Sequence, residues 1–198
     1  MNIAILKPRA PRLSLDDFVD LLFQKPEDEK WELIDGRVIK SMVGARWEHH
    51  CIIDNVGLAI SNHLRAKSLP CRVFRETFFV RQIESDLSAL PDLMVRCGPM
   101  PPGVNSIPDP SVLIEVVSPG SVERDRSDKR LAYQQLPSLE TFVLIERDRM
   151  LVDVYQRTAQ GFVSAAPLVT PEAKLLLPSI GFEMTVAEIY CDVGLSPA

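Results

Sequence analysis

A chain of 198 residues, of which 46% are hydrophobic and 25% charged, is long enough for one well-packed domain and has the composition of an ordinary globular protein. Its net charge of −5 argues against a protein that grips nucleic acid over its whole surface, although a local basic patch is compatible with it. No segment approaches the roughly 20 apolar residues that cross a bilayer, and the first apolar run is too short for a secretion signal. We therefore expect a cytoplasmic protein with no membrane partner.

The cysteines also indicate a cytoplasmic protein. Cys51, Cys71, Cys97 and Cys191 show no CxxC pairing, so they indicate neither a zinc finger nor a disulfide framework. We expect all of them to be reduced thiols.

Residues 1–12 contain two prolines, which oppose regular structure, so we expect a flexible N-terminal arm there. The rest of the chain has no internal repeat, low-complexity tract or shift in composition. Residues 13–198 are therefore expected to form a single domain.

A helix and a hairpin are predicted first. Ser14 suits the N-cap of a helix whose apolar stripe begins at Leu15. Asp35-Gly36 then separates two short apolar runs, which predicts a β-hairpin near residues 31–42.

From residue 48 the pattern becomes that of a second helix. Apolar residues recur at spacings of three and four from Ile52 onward, so this helix should pack on a sheet. His49 and His50 near its start do not form an HExxH zinc motif, and such histidines are more often surface or satisfied core groups than ligands. Residues 71–83 are rich in Val, Phe and Thr and predict one strand or a bent one.

A loop is expected at residues 84–90. Pro91 and Asp92 then open the next strand, where a missing main-chain N–H does least damage. The prolines and glycines of residues 97–110 predict a surface loop.

The centre of the chain is an apolar strand that carries an acid. The run from Val112 to Val117 suits a strand buried on both faces, yet Glu115 lies within it. A charged carboxylate left unpaired there costs several kcal/mol, so Glu115 must bind a cation, pair with a base or take up a proton.

A third helix should follow the central strand. It is predicted to begin at Asp125, with Asp128 completing an approximate capping box, and to end at Pro137. Its core-facing residues should be Leu131 and Leu136, and its exposed or cleft-facing residues should be Arg126, Lys129 and Arg130. The last predicted elements are two strands joined by a tight turn near 147–149, an edge strand at 161–163, a turn at 178–181 and a short helix at 186–190.

Asp92, Glu115 and Lys129 have the groups that metal-assisted hydrolysis of a phosphodiester requires. That reaction uses carboxylates to hold a hard divalent cation, an activated water and a positive group near the developing charge. Because side chains alternate along a strand, Glu115 and Val117 should share a face, and the carbonyl of Val116 offers a further oxygen ligand.

Several segments carry a resemblance to a known family: WELIDGRV, PDLMV, LIEVVSPGSVERDRSDKRLAY and TFVLIERDRMLVDVY, with a histidine-containing helix after the first. Their order and spacing resemble the Uma family of "putative restriction endonucleases", in the PD-(D/E)XK nuclease superfamily. The resemblance runs from about residue 13 to Tyr190. It implies a restriction-endonuclease-like α/β core, with a mixed β-sheet flanked by α-helices, preceded by an N-terminal helix and β-hairpin.

The resemblance also implies an activity, a cofactor and a set of site residues. The expected activity is metal-dependent endonuclease cleavage of nucleic acid, DNA above all, with Mg²⁺ or Mn²⁺ as the cofactor. Asp92 matches the first acid of the family and Glu115 the second. The usual lysine would fall two residues after that second acid, where this chain has Val117. Lys129, on the next helix, matches a lysine that takes its place.

Other residues are expected to support the site. Glu32 and His49 match further polar positions of the family. Asp125 lies four residues before Lys129, so it should cap the predicted helix and orient that lysine. Arg126 either contacts phosphate or belongs to an ordinary solvated face.

Two hypotheses from different classes follow. In the first, Asp92 and Glu115 hold the cation and Lys129 assists the attacking water, in a protein expected to be a homodimer because a symmetric dimer suits cleavage of both strands. In the second, the chain is a nuclease-derived binding or assembly module without useful catalysis, as Val117 and the acidic net charge suggest. A third possibility, with no nucleic-acid role, would be favoured if the three residues did not converge.

Overall fold

The structure is a computed structural model that describes residues 12–42, 44, 46–118 and 125–195, with the main chain alone described for Met42, Asp125 and Arg126. The predicted N-terminal arm, apart from Arg12, lies outside the described residues. The helices are α1 (Leu15–Leu22), α2 (Trp47–Ala66), α3 (Arg130–Tyr133) and α4 (Val186–Ile189), with a π turn at Asp125–Lys129 before α3 and a 3₁₀ turn at Pro178–Ile180. The strands are β1 (Glu29–Ile34), β2 (Arg37–Met42), β3 (Cys71–Arg75), β4 (Phe79–Gln82), β5 (Leu87–Ala89), β6 (Leu93–Cys97), β7 (Ser106–Ile107), β8 (Val112–Val117), β9 (Thr141–Glu146), β10 (Val152–Thr158), β11 (Gly161–Ser164), β12 (Lys174–Leu177) and β13 (Phe182–Thr185).

The strands form mixed sheets flanked by helices, which confirms the predicted fold class. The largest sheet has the order β11-β10-β9-β8-β6-β3, and within it β8 and β9 are parallel. A second sheet has the order β2-β1-β5-β4-β7, and β12 and β13 form a separate pair. Among the residues that the structure describes, no helix is long and apolar enough to cross a membrane.

The central strand β8 separates two apolar clusters. Ile114 and Val116 belong to a cluster that includes the buried face of α2. Leu113 and Val117 belong to the cluster on the opposite face, together with Tyr133 of α3. Because side chains alternate along a strand, Glu115 projects toward this second face, as predicted.

Local signals at both ends of the chain are confirmed. The Ser14 hydroxyl accepts a hydrogen bond from the main-chain N–H of Asp17 and caps α1. Asp35 and Gly36 both have positive φ, 50° and 69°, as a two-residue hairpin turn requires. Near the C-terminus, the short helix predicted at 186–190 is α4, and Thr185 caps it through a capping box.

Three predictions were wrong where strands pair over long distances. The run at 71–83 is two strands in different sheets, because the chain turns at Glu76, where φ is 36°. The predicted loop at 84–90 contains β5, which pairs with β4 and with β1. The loop at 97–110 also contains the two-residue strand β7. Sequence patterns within these segments carry no information about their distant partners.

The expectation of four reduced thiols was wrong for one pair. Cys71 and Cys97 are opposite each other in the antiparallel pair of β3 and β6, and they form a disulfide. Cys51 and Cys191 are free thiols. The pairing follows from strand register, which cysteine spacing in the sequence does not reveal.

Candidate active site

Asp92 lies next to the central strand because of the register of β6 against β8. Leu93 is opposite Ile114 in this antiparallel pair, so the same register places Asp92 opposite Glu115. Oδ2 of the buried Asp92 accepts a hydrogen bond of 2.6 Å from the main-chain N–H of Val116. The two acids predicted to act together therefore meet at one end of the β6–β8 pair.

Glu115 is buried with two side-chain donors on one of its oxygens. The residue is 3% exposed on the face of β8 that packs against α3. Oε1 accepts hydrogen bonds from the amine of Lys129 at 3.0 Å and from the hydroxyl of Tyr133 at 2.7 Å. The structure thus brings Lys129 to the acid, as predicted, and adds Tyr133, which the sequence analysis did not single out.

A π turn, rather than a regular α-helix, directs Lys129 inward. The turn widens the backbone spiral over Asp125–Lys129 before α3 begins at Arg130. Lys129, expected on an exposed or cleft-facing side, is 6% exposed, while Leu131, expected in the core, is 55% exposed. The prediction for Leu131 was wrong because it assumed α-helical spacing from residue 125; Leu136 is buried as expected.

The structure does not describe the side chains of Asp125 and Arg126. The capping role predicted for Asp125 and the phosphate contact predicted for Arg126 therefore stay predictions. The side chain of Asp128 accepts a hydrogen bond from the Ser127 hydroxyl at 3.3 Å.

Glu32, on β1, completes a buried ion pair network with Lys129. The Lys129 amine lies 3.4 Å from Oε1 of Glu32 and 3.0 Å from Oε1 of Glu115, so one cation bridges two carboxylates. Oε1 of Glu32 also accepts a 2.8 Å hydrogen bond from the main-chain N–H of Leu90. The hairpin strand is therefore tied both to the lysine and to the segment that precedes Asp92.

His49, at the start of α2, supports Asp92 from the other side. Its Nε2 lies 3.3 Å from Oδ2 of Asp92. Within the described ranges its other ring nitrogen, Nδ1, is buried without a hydrogen-bond partner. His63, in contrast, contacts the carbonyl of Ile180 at 2.9 Å through its Nε2 and is a satisfied structural histidine.

The carboxyl groups of the site have different proton affinities. Burial raises the pKa of Glu115 to about 8. The positive charge of Lys129 opposes this rise, and the negative charges of Asp92 and Glu32 add to it. Burial also opposes ionisation of Glu32, but Lys129, Lys30 and a main-chain donor outweigh it and lower its pKa. Below about pH 8, Glu115 therefore holds a proton in the cation-free protein.

Asp92 and His49 shift each other's pKa. Burial opposes ionisation of Asp92, but the hydrogen bond from His49, the charge of Lys30 and the Val116 N–H lower its pKa overall. Burial likewise opposes protonation of His49, but its hydrogen bond to Asp92 and the charge of that acid raise its pKa overall. Each of the two groups therefore stabilises the charged form of the other.

A cleft of about 1050 Å³ opens above Asp92 and Val116. Glu115 and Lys129 are buried and do not line the cleft. The residues lining the cleft with basic side chains are Lys25, Lys30, Arg46, His49, His50 and Arg147. The sequence analysis missed Lys30, although strand alternation places it on the same face of β1 as Glu32, two residues away.

The donor set fits a hard divalent cation with few protein ligands. In the described part of the chain there is no cluster of three or more His, Cys, Asp or Glu side chains that could hold a metal ion. Mg²⁺, however, usually keeps several waters and is bound by one or two carboxylates. Asp92, Glu115 and the carbonyl of Val116 match that pattern. The contacts that the described residues make with the two carboxylates fall on Oδ2 of Asp92 and Oε1 of Glu115, so the second oxygen of each is left for a cation.

The fold is of the restriction-endonuclease-like class. The crystal structure of a "putative nuclease belonging to DUF820" from Anabaena variabilis superimposes with a TM-score of 0.73, over 91% of this chain and 99% of that one, at 20% sequence identity. That likeness is one of fold. "Uncharacterized protein slr1290" of Synechocystis sp. is 25% identical over 181 residues, which are 91% of this chain and 92% of that protein.

The chain belongs to the Uma2 family, described as "Putative restriction endonuclease", whose match covers residues 15–187. The resemblance found in the sequence is thereby confirmed. Membership places the protein among nuclease-like hydrolases.

Proposed function

We propose that this protein is a metal-dependent endonuclease that hydrolyses phosphodiester bonds in DNA. The observation that carries the proposal is the buried contact of the Lys129 amine with Glu115 at 3.0 Å. The register of β6 against β8 places Asp92 opposite the same acid. Two acids and a lysine are the groups that the reaction requires, and here they converge beside a cleft.

Asp92, Glu115 and the main-chain carbonyl of Val116 would hold Mg²⁺ or Mn²⁺. When bound, such a cation supplies a Lewis acid for the phosphate oxygens and lowers the pKa of water. Glu115 must lose its proton for this binding, because metal ligands act in their deprotonated form. Lys129 favours that ionised form by its charge.

The remaining site residues fix these groups in place. Lys129 and Tyr133 hold Glu115, and His49 and the Val116 N–H hold Asp92. Such preorganisation matters because a carboxylate displaced by about 1 Å can cost on the order of 100-fold in rate. Lys129 would in this way steady Glu115 and, through it, help to orient the attacking water.

DNA is the proposed substrate because phosphate charge dominates nucleic-acid affinity. Arg46 and Lys30 line the cleft with positive charge, in a protein whose net charge is −5. Local positive charge in an acidic protein concentrates contact with the nucleic acid at the cleft.

A homodimer is part of the proposal, since two copies related by a two-fold axis would present two sites to the two strands. Light scattering coupled to size-exclusion chromatography measures the mass directly. A mass of two chains is the expected result, and a mass of one chain at assay concentrations would remove this part.

The test of the proposed function is cleavage of supercoiled plasmid with Mg²⁺ or Mn²⁺, compared with EDTA. We expect cleavage by the parent, and a loss of about 100-fold or more in Glu115→Gln because an essential charge is removed. Glu183→Gln is the matched control, since Glu183 is exposed and pairs with Lys174 on the distant β12–β13 hairpin. Parent and Glu115→Gln cleaving equally fast would refute the assignment, and binding of DNA without any cleavage would favour the binding-module hypothesis.

A further inference from the structure

Lys30 lines the cleft, whereas Lys129 is buried and does not line it. Lys30 is half-buried on β1 and lines the cleft together with Asp92 and Val116. Lys129 is 6% exposed and contacts Glu115 and Glu32. The two lysines near the acids therefore differ in their access to anything that enters from solvent.

Lys30 and Glu32 together hold the segment that leads into Asp92. The Lys30 amine donates a hydrogen bond of 2.7 Å to the carbonyl of Leu90, and Oε1 of Glu32 accepts one of 2.8 Å from the N–H of the same residue. Both main-chain groups of Leu90 are thus fixed by side chains from one face of β1. The position of the Lys30 amine relative to Asp92 is consequently well defined.

The charge of Lys30 acts on all three acids of the site. It favours the ionised forms of Asp92, Glu32 and Glu115. Two other basic residues of the cleft are engaged in local contacts: Arg147 forms two hydrogen bonds with Asp148, and the Lys25 amine donates to the carbonyl of Pro26.

We propose that Lys30 is a catalytic residue that contacts the phosphate being cleaved, whereas Lys129 is a positioning residue that acts through Glu115. This inference rests on the proposed function and assigns the phosphate contact to a residue not included in the predicted set. An ammonium group has three N–H donors, and the Leu90 carbonyl uses one, so donors are available for the oxygens of a phosphate in the cleft. A positive group placed where charge develops stabilises the transition state of phosphoryl transfer.

The first measurement separates the two lysines by the salt dependence of DNA binding, in EDTA so that no cleavage occurs. Each phosphate contact contributes about 0.9 to the slope of log affinity against log salt for duplex DNA, so Lys30→Met should reduce the slope by about one contact. Lys129→Met should leave the slope unchanged, because its amine is buried away from the cleft. Lys174→Met, at an exposed lysine paired with Glu183, is the control for loss of one charge.

The second measurement separates a phosphate contact from a clamp on Leu90. We expect Lys30→Met to lose about 100-fold in cleavage rate while Mn²⁺ binding, measured by calorimetry at a pH where Glu115 is ionised in both proteins, is no weaker than in the parent. Weaker Mn²⁺ binding in Lys30→Met would show that the lysine only holds Asp92 in place, and would overturn the inference. An unchanged salt slope would overturn it as well.

These outcomes distinguish the inference from the function on which it rests. A parent protein that neither binds nor cleaves DNA would refute the proposed function. A parent that cleaves, alongside Lys30→Met that cleaves equally fast, would refute the role of Lys30 alone. Thermal unfolding of each variant confirms that it is folded under the conditions of the assay.

Discussion

The amine of Lys129 lies 3.0 Å from Oε1 of Glu115, and both side chains are almost completely buried. The lysine of the superfamily pattern would lie two residues after the acid on the same strand, where this chain has Val117. Here a π turn at Asp125–Lys129 places an amine at the acid from a second element. Val117 instead packs in the apolar cluster beside Tyr133.

Loss of the buried amine should destabilise the fold. Lys129→Met leaves Glu32 charged and buried without its closest cation, and breaking a buried pair in this way costs about 3–5 kcal/mol. Chemical denaturation at pH 7.5 measures this free energy of unfolding. Lys174→Met is the exposed control and should change it by about 1 kcal/mol or less. A Lys129→Met variant as stable as the control would show that the network does not support the fold.

Stability of the metal-free protein should fall as pH rises between about 5 and 6. The pKa of Glu115 is raised to about 8 in the fold, from an ordinary value of 4.5, so the folded state holds one more proton than the unfolded state in this range. The expected slope is about −1.4 kcal/mol per pH unit from this group. Glu115→Gln should remove that slope, and Glu183→Gln should keep it.

The choice of this pH range isolates Glu115 from its neighbours. The lowered pKa values of Asp92 and Glu32 mean that their contributions to stability are present above their unfolded pKa and are lost only at lower pH. The raised pKa of His49 means that its contribution is present below about 6.5 and is lost at higher pH. Equal slopes in the parent and Glu115→Gln would contradict the assigned proton.

Binding of Mn²⁺ should release a proton and strengthen with pH. Because the cation must displace the proton on Glu115, affinity should rise about tenfold per pH unit below pH 8 and level off above it. Calorimetry in buffers of different ionisation enthalpy counts the protons released. Asp92→Asn should weaken binding at every pH, since it removes a charged ligand. Affinity independent of pH from 6 to 8 would exclude Glu115 as a ligand.

The number of free thiols tests the disulfide that joins β3 and β6. Because Cys71 and Cys97 form a disulfide between β3 and β6, alkylation of the unfolded, unreduced protein should label two cysteines, Cys51 and Cys191. Reduction before alkylation should raise the number to four. Mass spectrometry of the labelled peptides distinguishes the two results. Four labelled cysteines without reduction would show that the pair is not bonded.

The sequence predicted the parts of this fold that depend on local signals. The hairpin at Asp35-Gly36, the cap at Ser14 and the strand that carries Glu115 were all recognisable, because turn geometry, capping and burial leave residue patterns nearby. The order of motifs identified the family. These signals were enough to name Asp92, Glu115 and Lys129 as a group.

The rest depended on contacts between distant segments. β5 forms in a polar stretch because β1 and β4 lie beside it, and Cys71 meets Cys97 through strand register. The π turn shifts Lys129 and Leu131 from their α-helical positions. Lys30 was not predicted, because its contact with the segment that leads into Asp92 depends on the position of β1 in the fold.

The most direct test of the proposed metal site is a crystal structure grown with Mn²⁺ and an anomalous difference map. The account predicts one peak within about 2.0–2.4 Å of a carboxylate oxygen of both Asp92 and Glu115, with Lys129 retained beside Glu115. A protein that cleaves DNA with Mn²⁺ but shows its peak away from these two acids would contradict the account.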